Sequence, residues 1–271
     1  TNSRSGVCKM VQALGSQAVG DRVRSSMAES PASALVQKLE AFQDLSSEDR
    51  NALSRLVTSA RDYPAHTDIL REGEPVDGVL IVVKGFACRN QFRQNGARQI
   101  TAYLVPGDHC NSEVGLIGRM DHSVSTLSPC RIARVNVEAL KAILRQHPAI
   151  RQALRLSILV NEATLREWIV NIGCRTAIER IAHLFCELHL RLSTVGLTRG
   201  MTYELPFTQS DIAVTVGLSN VHVNRSLQAL RRQRLIALSG KRLTILDWTR
   251  LSELAEFNPS YLQLGRRILD G

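Results

Sequence analysis

The sequence lacks any hydrophobic run of about eighteen residues, the length at which an apolar helix becomes a candidate to cross a bilayer. It also lacks a leader in which a charged segment precedes an apolar one and a small-residue cleavage site. We therefore expect a cytoplasmic protein with no membrane partner. With 271 residues and 44% hydrophobic content, the chain is long enough for two cores, so two domains are favoured over one.

Closely spaced cysteines are also missing. The six cysteines are scattered, and only Cys8 falls within the first eighty residues. Zinc and iron–sulfur sites need clustered thiolates, so this spacing predicts no metal site and reduced, mostly buried thiols. Oxidation of Cys88, Cys110 or Cys130 stays open as an alternative, although nothing in the sequence predicts a lowered pKa for these thiols.

Acidic residues are absent between Ile212 and Leu246. The same stretch contains six basic residues, Arg225, Arg231, Arg232, Arg234, Lys241 and Arg242. The whole chain carries a net charge of +9, with a pI near 9.7. This charge fits a nucleic-acid partner, but it also fits an anionic membrane surface or a solvated basic face on a pair of core helices.

Within this basic region the sequence predicts two short helices joined by a tight turn. Thr208 is a suitable N-cap and Asp211 places a carboxylate in the first turn, so a helix of about two turns should begin here. Gly217 supplies the left-handed backbone of a turn, and Ser219 caps a second helix. Its apolar residues, Val223, Leu227 and Leu230, recur at helical spacing. The pattern predicts a helix-turn-helix whose second helix enters a DNA major groove.

The N-terminal half has a different pattern. Residues 1–31 are rich in Ser, Gly, Gln and isolated charges, which predicts a flexible tail. Helices are predicted between Ala34 and Ala60. From Tyr63 to about Val135 the hydrophobic period changes to two and turn signals recur about every ten residues, which favours an antiparallel β jelly roll. The sequence therefore predicts an α+β fold with a sensor domain over residues 32–147.

A long helix is predicted over residues 148–173, directly after this barrel. One stripe steps along it by four and three residues and contains Ile150, Leu154, Ser157, Asn161, Leu165, Trp168 and Ile172. Such a stripe is typical of a dimer seam, in which Asn161 would face its symmetry mate and fix the register. The alternative is an ordinary core helix packed under the barrel.

Residues 174–271 predict a winged DNA-binding domain around the helix-turn-helix. Arg175 to Leu192 is expected to form an amphipathic helix, and Leu205-Pro206-Phe207 a short edge strand. A two-stranded hairpin with a basic tip, the wing, is predicted from Leu235–Leu238 and Leu243–Leu246. Asp247 is expected to cap a last helix.

With barrel, long helix and winged helix in this order, the chain resembles bacterial Crp/Fnr-family transcription regulators over roughly Ala34 to Leu254. The motifs that carry the resemblance are Leu70-Arg71-Glu72-Gly73-Glu74, Val83-Lys84-Gly85, Pro106-Gly107-Asp108, Glu113-Val114-Gly115-Leu116, Asp211-Ile212-Ala213, Gly217-Leu218-Ser219 and Val223-Asn224-Arg225. The resemblance implies a homodimer that binds double-stranded DNA at a palindromic operator, with recognition helices about 34 Å apart. RNA polymerase is a further candidate partner. Because the sequence shows no phosphate loop, metal pair or nucleophile elbow, we expect no enzymatic activity.

The resemblance also places the DNA-contacting residues. The recognition helix would span about 219–231, with Arg225 bidentate to guanine O6 and N7. Val221 stands where the family often has a Glu, so the half-site is expected to differ from that of the Glu-bearing branches. Hydrogen bonds to base edges or phosphates are predicted for Asn220, His222 and Asn224. Phosphate contacts are predicted for Thr208, Gln209, Ser219, Lys241 and Arg242.

The family's ligand cassette is altered in this sequence. In relatives that bind cyclic AMP, glycine amides, a Glu and an Arg hold the phosphate and ribose. Set against that pattern, Glu113 and Ser123 are retained, but Ser112 replaces a close-approach glycine and His122 replaces the arginine. A neutral His makes no guanidinium fork. The two remaining members of this candidate effector pocket are Arg119, three residues before His122, and Leu165, where relatives present a threonine to the purine.

We therefore expect the barrel to bind no cyclic AMP and to hold no cofactor; it binds either a different ligand or no ligand at all. One alternative is a cyclic-nucleotide-activated regulator with a rebuilt pocket. Another is a small-molecule or thiol-redox sensor that acts through protein partners. A pH-, haem- or metal-sensing role for His122, with His109 and Cys110 nearby in the sequence, is a further alternative.

Overall fold

The computed structural model describes residues 32–111 and 118–264. Within these two ranges lie eight α-helices: α1 (Ser33–Glu40), α2 (Ser47–Leu56), α3 (Val137–Gln146), α4 (Pro148–Cys174), α5 (Ala177–Thr194), α6 (Gln209–Val216), α7 (Asn220–Arg232) and α8 (Trp248–Leu254). A short 3₁₀ helix follows at Pro259–Leu262. None of the helices described is long and apolar enough to cross a membrane. The tail predicted at residues 1–31 lies outside the described ranges.

Eleven strands are described in the same ranges: β1 (Ala60–Tyr63), β2 (Asp68–Leu70), β3 (Gly78–Lys84), β4 (Ala87–Phe92), β5 (Arg98–Leu104), β6 (Ser123–Thr126), β7 (Cys130–Asn136), β8 (Thr198–Arg199), β9 (Thr202–Glu204), β10 (Ile236–Ser239) and β11 (Arg242–Ile245). They form three antiparallel sheets, ordered β1-β7-β3, β2-β6-β4-β5 and β10-β11-β9-β8. The first two sheets make the barrel and the third carries the wing. The α+β fold with an antiparallel barrel is confirmed.

Two glycines fix turns at which the barrel chain passes very close to other backbone. Gly85 has φ +84°, and a Cβ there would lie 2.2 Å from the carbonyl oxygen of Pro129. Gly107 has φ +91°, and a Cβ there would lie 2.6 Å from the carbonyl oxygen of Ala34 in α1. Any larger residue would push the strand or α1 away. These turns therefore bring β3 to β4 and seat α1 on the end of β5.

The first helical region is slightly shorter than predicted. Ser46 caps α2 with a capping box to Asp49. The helix ends at Leu56, and Ala60, predicted as helical, instead begins β1. Its pairing with Ala133 of β7 explains the difference, because a ladder contact across the sheet outweighs local helix propensity.

Helix α4 is as long as predicted, with 27 residues, but the predicted seam is wrong. Ile150, Ser157 and Trp168 are buried within the same chain. Ser157 Oγ and Asn161 Nδ2 each lie 3.4 Å from His109 Nε2, so these two polar members of the stripe contact the chain's own barrel. The stripe therefore packs mainly against the chain's own barrel and C-terminal part, as the alternative predicted.

The helix predicted over Arg175 to Leu192 is present as α5, but it is buried on nearly all sides and not on its apolar face alone. From Ile181 to Leu190 every residue is buried, including His183, Glu187 and His189. Glu187 is satisfied there by hydrogen bonds from Trp168 Nε1 and Tyr261 Oη, both 2.9 Å long. This helix is thus the central core element of the C-terminal part, and α7, α8 and the third sheet pack around it.

The prediction of an edge strand at Leu205-Pro206-Phe207, before the helix-turn-helix, was also wrong. Strand β9 is Thr202–Glu204, whereas Leu205–Phe207 is irregular. Pro206 has no N–H to donate to a ladder, so pairing stops after Leu205, whose N–H donates to the carbonyl of Lys241. The predicted wing hairpin is confirmed within one residue at each strand. Asp247 caps α8 as predicted.

Candidate DNA-binding surface and sensor pocket

Helix α6 begins and ends where its local sequence requires. The Oγ1 atom of Thr208 accepts from the Asp211 N–H at 3.0 Å, and Asp211 Oδ2 accepts from the Thr208 N–H at 2.9 Å. This capping box satisfies two N–H groups at the helix start. Gly217 ends the helix in the left-handed conformation, at φ +65°. The tight turn that follows brings α7 across α6.

Helix α7 has one buried and one exposed face. Ser219 caps it by accepting from the His222 N–H, and Val223, Leu227 and Leu230 are buried. The exposed face carries Val221, Asn224, Arg225 and Gln228, at the i, i+3, i+4, i+7 spacing of one helical face. Val221 is 59% exposed, although it is a β-branched apolar residue. This face has the side chains that read base edges: an arginine, two amides and a methyl-bearing group.

All nine residues predicted to contact DNA are exposed: Thr208, Gln209, Ser219, Asn220, His222, Asn224, Arg225, Lys241 and Arg242. Asn224 Nδ2 lies 3.4 Å from Gln209 Oε1, so the two amides border a common surface. His222 Nδ1 lies 2.9 Å from Ser219 Oγ. Val221 and Gln228 belong to the same face and were not among the predicted contacts, although their spacing relative to Arg225 would have identified them.

The barrel supports α6 rather than α7. Thr215 Oγ1 donates to Tyr103 Oη at 2.7 Å, and the Tyr103 ring stacks on Phe207 at 4.1 Å between centroids. Arg98 of β5 pairs with the Asp211 carboxylate at 3.6 Å. Strand β5 therefore fixes the first helix of the pair and leaves the exposed face of α7 open.

The predicted effector-pocket residues have separate surroundings. Glu113, like Ser112, lies outside the described residues. Arg119 is exposed and donates to the Gly73 carbonyl at 2.7 Å. His122 Nδ1 lies 2.6 Å from the Asp121 carboxylate, and its Nε2 lies 3.2 Å from the Cys110 carbonyl. Ser123 Oγ accepts from the Glu72 N–H at 3.0 Å.

Leu165 is 41% exposed on α4 and lines a crevice between that helix and strands β4 and β5. None of Arg119, His122 and Ser123 lines this crevice. Its charged groups are instead Arg89 of β4 and Arg191 of α5, which sequence reasoning missed. Leu165 and the three other described members of the predicted pocket are therefore not brought together around this cavity.

The buried cysteines are poor candidates for redox chemistry. Burial raises the pKa of Cys110 to about 12 and that of Cys130 to about 11. Burial also raises the pKa of Cys88. These thiols stay protonated near neutral pH, so they are weak nucleophiles. Cys174 at the end of α4 is exposed. Among the described residues no group of three or more His, Cys, Asp and Glu side chains has the arrangement of a metal site.

Comparison with known proteins agrees with this geometry. The family model for a Crp-like helix-turn-helix domain matches residues 179–254, and the model for a cyclic nucleotide-binding domain matches residues 60–147. Together they define a DNA-binding regulator with an N-terminal domain of the cyclic nucleotide-binding type. The chain is 31% identical over 201 residues to the transcriptional activator protein FnrL of Cereibacter sphaeroides, a match that covers 72% of this chain and 79% of FnrL. The chain belongs to the Crp/Fnr family and is a DNA-binding transcription regulator.

Two further similarities agree with the family and with the fold. The nitrogen fixation regulation protein FixK of Azorhizobium caulinodans is 28% identical over 211 residues, covering 76% of this chain and 84% of FixK. In structure, the chain resembles FixK2 from Bradyrhizobium japonicum with a TM-score of 0.65 and 23% identity, over 72% of this chain and 96% of FixK2. At that identity the structural likeness shows the fold alone.

Proposed function

We propose that the protein is a homodimer that reads a palindromic DNA operator through α7 and does so without cyclic AMP. The observation that carries the proposal is the exposed face of α7, where Arg225 lies beside Val221 and Asn224 on a helix whose other side is buried. Lys241 and Arg242 of the wing are exposed and supply positive charge for the flanking phosphates.

A second apolar stripe on α4 supports the homodimer. Leu165 and Ile169 are 41% and 71% exposed, and Ile158 and Ile172 are half-buried. Their steps of seven, four and three residues form one continuous line along the helix. The stripe is rotated away from the predicted seam and keeps only Leu165 and Ile172 of it. Burial of this stripe against a second copy would place the two recognition helices on successive turns of DNA.

The surroundings of His122 support independence from cyclic AMP. Both ring nitrogens already face acceptors, the Asp121 carboxylate and the Cys110 carbonyl. Arg119 extends to the Gly73 carbonyl. A cyclic phosphodiester in a closed pocket needs a permanent cation inside that pocket; His122 is not a permanent cation, and Arg119, which is one, lies exposed at the surface.

The remaining parts of the proposal follow from the family. The named relatives FnrL and FixK are regulators, so we place RNA polymerase among the partners, assign the protein to the cytoplasm and expect no catalytic activity. The thiol-redox alternative is disfavoured by the raised pKa of Cys88, Cys110 and Cys130. A regulator with a rebuilt cyclic-nucleotide pocket remains the competing function that the experiment must separate.

The test is selection of a randomised duplex pool by the purified full chain, with and without cyclic AMP, at fixed salt. We expect the same palindrome in both arms. Enrichment of a palindrome only in the cyclic AMP arm would assign a ligand role to the altered cassette and refute the proposal. Enrichment of no sequence in either arm would also contradict it, because the proposed reader needs no nucleotide.

A further inference from the structure

Residues 255–264 form a strap that runs back over the core of the DNA-binding part after α8 has ended. Ala255, Phe257 and Pro259 are buried, and the residues between them are exposed. This period of two is that of an extended segment with one buried face. The 3₁₀ helix that follows turns Leu262 into the core, where it is 1% exposed. The Crp-like domain match ends at residue 254, so the strap lies outside it.

The chain reverses into the strap at Glu256. The N–H of Glu256 donates to the carbonyl of Glu253 at 3.1 Å, and that of Phe257 donates to the carbonyl of Ser252 at 2.9 Å. These two hydrogen bonds make a Schellman motif, in which Glu256 is left-handed at φ +46°. A residue with a Cβ adopts this conformation where its surroundings impose it. The contacts beyond the turn therefore hold the strap in its direction.

The start of the strap is bound to the joint between α4 and α5. Arg175, the C-cap of α4, has an extended backbone with ψ 150°. Its Nε donates to the Ala255 carbonyl at 3.1 Å, and its Nη2 donates to Glu167 Oε1 of α4 at 2.7 Å. A single guanidinium at the joint thus contacts both the strap and α4.

The end of the strap reaches a buried carboxylate on α5. Glu187 Oε2 accepts from Tyr261 Oη of the strap and from Trp168 Nε1 of α4, both at 2.9 Å. Its Oε1 accepts from Arg191 at 3.0 Å. Beside this carboxylate, the 3₁₀ helix that contains Leu262 packs on α4. The strap, α4 and α5 therefore meet at one charge, which is costly to leave without its donors.

The angle between α4 and α5 sets where each recognition helix lies. Helix α4 carries the exposed stripe of the proposed dimer, and α7 packs on α5. Only Arg175 and Thr176 stand between α4 and α5, and so short an extended joint fixes no angle by itself. Contacts across the joint must therefore fix the angle, and those of the strap are among them.

We propose that the strap holds α5 at a fixed angle on α4, with Tyr261 and Leu262 as positioning residues, and so sets the separation of the two half-sites that the dimer accepts. The inference rests on the proposed function, because it needs a homodimer joined through α4. Strand β5 restrains α6 on the barrel side, so a loosened strap leaves each DNA-binding part partly held. Each part then keeps its affinity for one half-site, while the dimer accepts a wider range of separations.

Selection among duplexes that carry two copies of the wild-type half-site at a series of separations tests the inference. The full chain is used at fixed salt, with and without cyclic AMP. We expect the wild type to enrich one separation. Leu262→Ala should lower the preference for it over separations one base pair longer or shorter at least severalfold, with unchanged affinity for a single half-site. Leu251→Ala, at a leucine of α8 that is 0% exposed, is the matched control and should keep the preference.

Tyr261→Phe covers the case in which Leu262→Ala does not fold, which urea unfolding would show. It keeps the ring and removes the hydrogen bond to Glu187, which retains its other two donors. We expect the preference to fall by about twofold or more, the effect of one hydrogen bond. Tyr203→Phe is its control, because the Tyr203 hydroxyl donates to the Phe185 carbonyl at the same distance of 2.9 Å.

The outcomes separate this inference from the proposed function. A wild type that enriches no pair of half-sites in either arm refutes both. Pairs enriched only with cyclic AMP refute the proposed independence from that nucleotide, and the variants are then compared in that arm. Wild-type preference in the strap variants that fold, or an equal loss in their controls, overturns the inference alone.

Discussion

Arg225 is the residue whose removal should separate sequence reading from general attraction to DNA. Its guanidinium is exposed on the open face of α7, and a bidentate contact to guanine is worth about 1–3 kcal/mol of discrimination. We expect Arg225→Ala to abolish preference for the selected operator over a scrambled duplex in competition binding, while weak, salt-sensitive binding persists. Arg232→Ala, in the last turn of α7, should lower affinity but keep the preference. Equal loss of preference in both variants would reject Arg225 as the reader.

Val221 should set the identity of one base in the half-site. It is 59% exposed, one turn before Arg225, where its methyl groups can meet a thymine methyl but accept no hydrogen bond. We expect Val221→Glu to shift the selected base at that position towards cytosine, whose N4 amino group donates to carboxylates. Val221→Ala should keep the wild-type base with weaker selection. Selection and sequencing of a pool randomised at that position distinguishes the two, and an unchanged base in Val221→Glu would contradict the contact.

The role of a single residue could be predicted from the sequence when its structural partner lies close to it along the chain. Thr208, Gly217 and Ser219 act within four residues of their own position, so their roles could be predicted. The role of Tyr103 could not, because its partner Thr215 lies 112 residues further along the chain. Arg89 was missed for the same reason: alternation predicts which strand residues point inward, but no local pattern predicts what an inward arginine will meet.

At the scale of elements, the turn between α6 and α7 should depend on Gly217. An alanine there would adopt φ +65° with its Cβ 3.4 Å from Ile172 Cγ2, a strain of about 1–2 kcal/mol. We expect Gly217→Ala to lower the free energy of unfolding in urea by that amount. Gly173→Ala is the matched control, because that site lies in α4 with nothing within 4 Å of the added Cβ. It should raise stability by up to about 1 kcal/mol. A stabilised Gly217→Ala would contradict the left-handed turn.

The wing should contribute affinity without specificity. Lys241 and Arg242 are exposed at the tip of the β10–β11 hairpin, and neither has a carboxylate partner among the ion pairs of the described residues. We expect the double change Lys241→Gln and Arg242→Gln to weaken binding to all duplexes alike. The slope of log affinity against log salt should fall by about 2. Binding measured from low to moderate salt tests this, and an unchanged slope would remove the wing from the interface.

Helix α4 shows what a hydrophobic pattern can and cannot predict about a helix. Its length was predicted, because Pro148 and the apolar period define it locally. The surface against which α4 packs was not predicted, because an apolar stripe that fits a coiled coil also fits a helix packed on its own domain. The two polar members, Ser157 and Asn161, meet His109 of the barrel instead of a second copy. The exposed apolar stripe could be identified only from the structure, which shows which face of α4 the barrel covers.

In the whole molecule, the helix-turn-helix is supported on the side opposite the exposed face of α7. Tyr103 and Arg98 of strand β5 contact α6, and α5 packs against the buried face of α7. Neither the barrel nor the core therefore covers the exposed face of α7. These β5 residues belong to the barrel, so the barrel contacts α6 directly. The barrel and the helix-turn-helix are thus joined by packed side chains as well as by α4, and such contiguous packing is the kind of physical link that coupling between two sites requires.

Dimerisation through the exposed stripe of α4 should control operator binding. Ile169 is 71% exposed at its centre, and two glutamates facing each other across a seam would repel in a desolvated setting. We expect Ile169→Glu to sediment as a monomer and to lose about 10²–10⁴-fold in affinity for the full palindrome, because the second half-site is no longer delivered at high effective concentration. Affinity for a single half-site should be unchanged. Leu197→Glu, at a 45% exposed leucine outside α4, should remain dimeric and bind as the wild type does. A dimeric Ile169→Glu with wild-type operator affinity would place the dimer contact elsewhere.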